Sequence, residues 1–172
     1  ILGFMKQSGG TVQVDTEADV GTTFKLYFKA FTDKNVLSVV EPGDAGNLSH
    51  AGKKILIAED EKNIQTILVA ILSKAGYVVT VAATGEEALA LFDANPTFDL
   101  LLTDLAMPGG IQGAALSQAI RKQNPELPTV FMSGYSSEAI VDGIALRPED
   151  IRLTKPILRA DLLAAVKTSL GG

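Results

Sequence analysis

The stretch Phe98-Asp99-Leu100-Leu101-Leu102-Thr103-Asp104-Leu105-Ala106-Met107-Pro108-Gly109-Gly110 decides how the rest of the chain is read. Its apolar run is too short for a helix and is closed by Pro and Gly, which predicts a buried strand. The strand delivers one carboxylate, Asp104, to its carboxyl end, where ligands collect in an open α/β sheet. Three other stretches share that design. Ile55-Leu56-Ile57-Ala58 runs into Glu59, Asp60 and Glu61; Thr129-Val130-Phe131-Met132 runs into Ser133; Ile151-Arg152-Leu153-Thr154 runs into Lys155-Pro156. If the four strands are parallel, Asp104, the Glu59/Asp60 pair, Ser133 and Lys155 converge on one rim. Acids in excess, one hydroxyl and one amine suit a hard divalent cation beside a phosphoryl group. Carboxylate oxygens hold Mg²⁺, and cation and Lys together offset phosphoryl charge.

From Lys53 onward, strands alternate with helical periodicity, which points to a parallel sheet covered on both faces. Ile64, Ile67, Leu68, Ile71 and Leu72 recur at helical spacing and read as core, with Gly76 as the stop. Tyr77 to Ala82 is the second strand. Thr84 with Glu87 three positions on is a capping box opening a helix that turns Ala88, Leu91 and Phe92 inward and ends at Asn95-Pro96. A third helix over 111–122 buries Leu116, Ala119 and Ile120, and a last one over 159–170 buries Leu162, Leu163 and Val166. Between them, Ser136 to Leu146 predicts a weaker helix interrupted by Gly143. Glu61 follows the acid pair as a helix-opening charge. Five strands and five helices in this order predict a flavodoxin-like, doubly wound five-stranded parallel sheet.

On those residues, 53–172 resembles a response-regulator receiver domain, a CheY-like fold. The resemblance is carried by the acid pair, the Asp104-x-x-Met107-Pro108-Gly109 turn, Ser133 and Lys155-Pro156 occurring together in order. It implies that Asp104 accepts a phosphoryl group from a phosphohistidine of a histidine kinase or histidine phosphotransfer domain. It further implies that Asp60 ligates Mg²⁺ directly, that Glu59, where the family usually has Asp, acts through water or at the periphery, and that the Ala106 carbonyl is a third protein ligand. Ser133 would bond a phosphoryl oxygen. Lys155 would pair with the phosphoryl group, and with Asp104 at rest, across a cis Lys155-Pro156 peptide. Two positions depart from the family. Arg152 stands where a switching aromatic is common and is expected to report the state by a charged contact near the fourth helix. Ala106 and Tyr135 occupy the positions that tune phosphate hydrolysis, and they imply a long-lived phosphorylated state.

The amino-terminal part has a different character. Ile1 to Gln7 reads as the end of a helix stopped by Ser8-Gly9-Gly10. Thr11 to Asp15 and Thr22 to Lys29 alternate about a turn at Ala18 to Gly21, a β-hairpin with Phe24, Leu26 and Phe28 together. Lys6-Gln7-Ser8-Gly9-Gly10 and Gly21-Thr22-Thr23-Phe24 resemble the tail of a histidine-kinase ATP-binding domain. No Asp-x-Gly-x-Gly accompanies them, so residues 1–30 are not expected to bind ATP; they imply a hybrid kinase as parent. Residues 31–52, with Pro42, Gly43, Gly46, Asn47 and Ser49, read as a linker holding the single histidine, His50. The opening Ile1-Leu2-Gly3-Phe4 falls mid-pattern, as in the interior of a longer protein.

Composition narrows the alternatives. The chain of 172 residues has no Cys, which removes disulfides and thiolate metal sites. A net charge of −5 without a basic, aromatic-bearing cluster argues against nucleic acid. No run approaches the ~20 apolar residues that span a bilayer, so a cytoplasmic setting is expected, any membrane tether lying in a longer parent. No Gly-x-x-x-x-Gly-Lys-Ser/Thr follows a strand, against a P-loop enzyme. The leading reading is a self-phosphorylating acceptor module of a phosphorelay. The alternative is a degenerate receiver used for docking in a hybrid kinase. The hairpin's apolar face, or the receiver itself, could pair two copies.

Overall fold

The structure, a computed structural model, describes residues 10–17, 21–28, 50–134, 140–141 and 144–171. The expected helix over 1–7, the turn residues 18–20 and nearly all of the expected linker lie outside these. The chain divides into two compact units, residues 1–45 and 46–172. In the first, β1 (Thr11–Glu17) and β2 (Gly21–Tyr27) pair antiparallel, with Val12 opposite Leu26 and Val14 opposite Phe24. Alternation therefore collects those four apolar side chains on one face. Gln13, Asp15 and Lys25 take the other, where Lys25 Nζ reaches Asp15 Oδ2 at 2.7 Å.

The second unit is a five-stranded parallel sheet. Its strands are β3 (Lys54–Ala58), β4 (Val78–Ala82), β5 (Leu100–Asp104), β6 (Thr129–Ser133) and β9 (Ile151–Thr154). They lie in the order β4-β3-β5-β6-β9, so the order reverses beside β3. Crevices at such a reversal open at the carboxyl ends of the strands. The helices are α1 (Lys62–Lys74), α2 (Gly85–Ala94), α3 (Gly113–Arg121) and α4 (Arg159–Ser169).

Burial on both faces explains why β3, β5 and β6 are nearly continuous apolar runs. Ile55, Ile57, Leu100, Leu102, Val130 and Met132 enter one core with Leu68, Leu72, Leu162 and Val166 of α1 and α4. Leu56, Ala58 and Leu101 point oppositely, into a core with Ala88, Phe92, Leu116 and Ile120 of α2 and α3. Each such aliphatic side chain, fully buried, contributes about 1.5–3 kcal/mol. Thr84 caps α2 by accepting from Glu87 N at 3.1 Å, and Glu87 Oε2 accepts from Ala83 N at 2.6 Å. The opposite, amino-terminal rim of the sheet is tied by Asp99, which accepts from Lys53 Nζ at 2.7 Å and from Lys54 N at 2.8 Å. A buried bidentate pair between Arg121 and Asp150 joins the end of α3 to the approach to β9.

Two local expectations are corrected. The helix expected over Ser136 to Leu146 is replaced, in its described part, by β7 (Ile140–Val141) pairing antiparallel with β8 (Ile144–Ala145). The β-branched Ile140, Val141 and Ile144 favour extended backbone, and Gly143 penalises a helix interior by about 1 kcal/mol. Ile67, expected in the core, is 57% exposed. It lies on the flank of the stripe formed by Ile64, Leu68, Ile71 and Leu72, beyond the arc that faces the sheet.

Candidate functional site

Parallel register builds the site. Ala58 pairs with Thr103 and Asp104 with Met132, so Glu59 and Ser133 each emerge one residue past the partners of β5. Ser133 in turn pairs with Thr154, and Lys155 N donates to Ser133 O at 2.7 Å, which places Lys155 at the same rim. Glu59 N donates to Ala82 O at 3.1 Å, prolonging the β3–β4 ladder into the acidic turn.

At that rim the Lys155 ammonium is shared between two carboxylates, Asp104 Oδ2 at 2.5 Å and Glu59 Oε2 at 2.8 Å. Asp104 Oδ1 accepts from Ala106 N at 3.1 Å. Glu59 is fully buried; its Oε1 accepts from Glu61 N at 3.2 Å, and its backbone carbonyl accepts from Gln65 Nε2 at 2.5 Å. Burial pushes the Glu59 carboxyl above its ordinary range, against the opposing pull of Lys155. Burial alone would lower Lys155, but its bonds to Asp104 and Glu59 outweigh that and hold the ammonium above its ordinary value. Asp60 is exposed at the mouth. Oxygens of Glu59, Asp60 and Asp104 lie within 4.8 Å of one another. Three carboxylates face one ammonium, so the pocket keeps negative charge that a hard cation would complement.

Ser133 Oγ is buried and finds no hydrogen-bond partner among the described residues. An unpaired buried hydroxyl costs about 1–3 kcal/mol relative to a paired one, so its position at the rim is an acceptor-seeking one. Lys155-Pro156 is cis. Arg152 is exposed on β9, in register with Phe131. The helix it was expected to contact is not formed in the described residues. Tyr135 lies outside the described residues. Ala106 is exposed on the loop leaving β5.

Three features escaped the sequence reading. Glu59 meets Lys155 directly, a pairing the sequence reading did not anticipate. Gly113 opens α3 so close to β5 that a Cβ there would stand 2.0 Å from the Asp104 carbonyl oxygen. Glu86, on the first turn of α2, accepts from Gly110 N at 2.8 Å and Ile111 N at 3.0 Å on the loop after Asp104. A glycine at the start of a helix with no turn to demand it was the available signal for Gly113; Glu86 carried none beyond its helix-opening charge.

Among known proteins, the response regulator receiver domain family matches residues 55–167. Sensor kinase CckA of Brucella abortus is 29% identical across 99% of the chain, which spans only 19% of that kinase's length. The response regulator receiver protein CpdR of the same organism is 35% identical over 69% of this chain and 97% of its own. A crystal structure of a response regulator receiver protein from Sinorhizobium medicae superposes with a TM-score of 0.65 at 27% identity, covering 70% of this chain and 96% of that one. No helix among the described residues is long and apolar enough to cross a membrane.

Proposed function

The chain belongs to the response regulator receiver domain family, which accepts phosphoryl groups in two-component signalling, and we propose that Asp104 is its acceptor, working with Lys155, Ser133 and a Mg²⁺ ion. One observation carries the assignment: Asp104 sits under a shared ammonium at the same rim as a buried hydroxyl with no partner among the described residues. A phosphoryl group on Asp104 supplies the missing acceptor for Ser133 and a second anion for Lys155.

In the transfer, an Asp104 carboxylate oxygen forms a bond to phosphorus as the P–N bond of a phosphohistidine breaks. The departing imidazole nitrogen keeps the electron pair and takes up a proton. A carboxylate needs no added base, so the protein contributes position and charge. Lys155 turns from carboxylate to phosphoryl oxygen, and Ser133 donates to another. Asp60 and Asp104 would hold the Mg²⁺, with the Ala106 carbonyl as a third protein ligand and Glu59 acting through water. The all-oxygen donor set within 4.8 Å fits that ion. When bound, it neutralises charge on the phosphoryl oxygens.

The phosphodonor is a histidine kinase or a histidine phosphotransfer domain. Residues 1–30 are read as the tail of a kinase ATP-binding domain, with 31–52 as linker and 53–172 as receiver. The similarity to sensor kinase CckA running through the hairpin supports that parentage, and the same proposal sets the chain in the cytoplasm. Incubation with phosphoramidate and Mg²⁺, followed on a phosphate-affinity gel, tests the assignment. The wild-type chain should shift and Asp104→Ala should not. A shift that survives in Asp104→Ala refutes it, and an unmodified wild type would favour the docking alternative.

A further inference from the structure

We infer that Glu86 is a positioning residue for this site, clamping the loop between β5 and α3 and thereby setting the affinity for Mg²⁺. The inference rests on the proposed Mg²⁺ reading of the Asp104 rim. The loop over 105–112 carries the Ala106 carbonyl and contains Gly109-Gly110, the pair with the greatest backbone freedom in the segment. Gly109 stands at φ +120°, a conformation other residues rarely adopt. Met107 is buried and pins the near half of the loop, while Pro108, Gly109 and Gly110 are exposed.

The far half is held from α2. One Glu86 oxygen accepts from both Gly110 N and Ile111 N, at 2.8 and 3.0 Å. Those bonds to a charged acceptor are of the stronger kind, and bonds from its own N–H and from Gly110, with further ones from Thr84 and Ile111, hold the Glu86 carboxyl below its ordinary range. Backbone packing reinforces the clamp. A Cβ on Gly85 would lie 2.1 Å from Ile111 O, so α2 opens directly against the loop. Beyond Ile111 the chain enters α3 at Gly113, which touches the Asp104 carbonyl. A continuous contact therefore runs from the start of α2, through residues 110 and 111, to the aspartate. Glu86 touches neither reacting atoms nor metal, and acts by holding the backbone that does.

Mg²⁺ titrations by calorimetry on the unphosphorylated full chain test this. Groups that orient metal ligands from outside typically alter affinity 10–100-fold. Glu86→Ala should therefore raise the Mg²⁺ Kd about tenfold. Glu86→Gln, whose amide oxygen accepts the same two N–H groups, should recover most of the loss. In phosphoramidate kinetics the half-saturating Mg²⁺ of Glu86→Ala should rise while the rate at saturation stays near wild type. Should Glu86→Ala melt early, Glu86→Asp, which keeps the charge but shortens the reach, should show the same weakening. Wild-type affinity in both Glu86→Ala and Glu86→Asp overturns the clamp and leaves the Mg²⁺ reading intact. A wild-type chain that binds no Mg²⁺ overturns both.

Discussion

Glu59 Oε2 and Lys155 Nζ, from residues 96 apart in the chain, meet at 2.8 Å with the Glu59 side chain almost wholly enclosed. The pair makes Lys155 a shared cation, bound to Glu59 and Asp104 together. A buried carboxylate left without its partner is destabilising by about 3–5 kcal/mol.

Lys155→Met should therefore lower stability by about 3 kcal/mol in urea denaturation at neutral pH. Adding Glu59→Gln, which removes the stranded charge, should restore a large part of that loss. Additive losses in the double variant would mean the two groups are not coupled.

Ser133→Ala separates a functional hydroxyl from a structural one. Because Ser133 Oγ is buried without a partner among the described residues, its removal should leave stability unchanged or raise it by up to about 1 kcal/mol. The yield of phosphorylated chain should fall in the same variant. A clear drop in melting temperature with normal phosphorylation would assign Ser133 to the fold alone.

Gly113→Ala should cost about 2 kcal/mol or more, since its Cβ would stand 2.0 Å from a backbone carbonyl that cannot swing aside. The clash falls on Asp104 itself, so phosphorylation should slow as well. Gly134→Ala, where a Cβ meets nothing within 4 Å among the described residues, is the control and should stay within about 0.5 kcal/mol of wild type.

Asp99 provides a pH dependence far from the rim. Burial would raise its carboxyl, but Lys53 and the Lys54 N–H outweigh that and hold it below the ordinary 3.8. A lowered folded value means the unfolded chain binds the proton more tightly. The contribution is thus fully present above pH 3.8 and is lost as pH falls through the folded value. Asp99→Asn should cost about 1.5 kcal/mol at neutral pH and flatten the acid limb of the stability profile. An unchanged acid limb in that variant would remove Asp99 as its source.

Local pattern made much of this legible. The apolar runs before Glu59, Asp104 and Ser133 announced strands because burial on both faces demands unbroken hydrophobicity. The alternation before Lys155 announced an edge strand with one face covered, and the Thr84–Glu87 cap was readable because its bonds span three or four residues. The stretch after Ser133 misled, since helical spacing of apolar residues competes there with β-branching and Gly143, and neither signal is decisive over so few residues. Ile67 misled for a geometric reason: helical spacing defines a stripe but does not say where the supporting sheet ends.

By itself, the order of residues determined which side chains could reach the rim, because each lies at the end of its own strand. Only the folded sheet decided how they pair. Lys155 binds acids 51 and 96 residues away together through the register of β9 on β6 and of β6 on β5. The same is true of Gly113 beneath Asp104 and Glu86 over Gly110. Those contacts arise where separate backbones are brought together by packing, and no spacing along one segment encodes the distance between two.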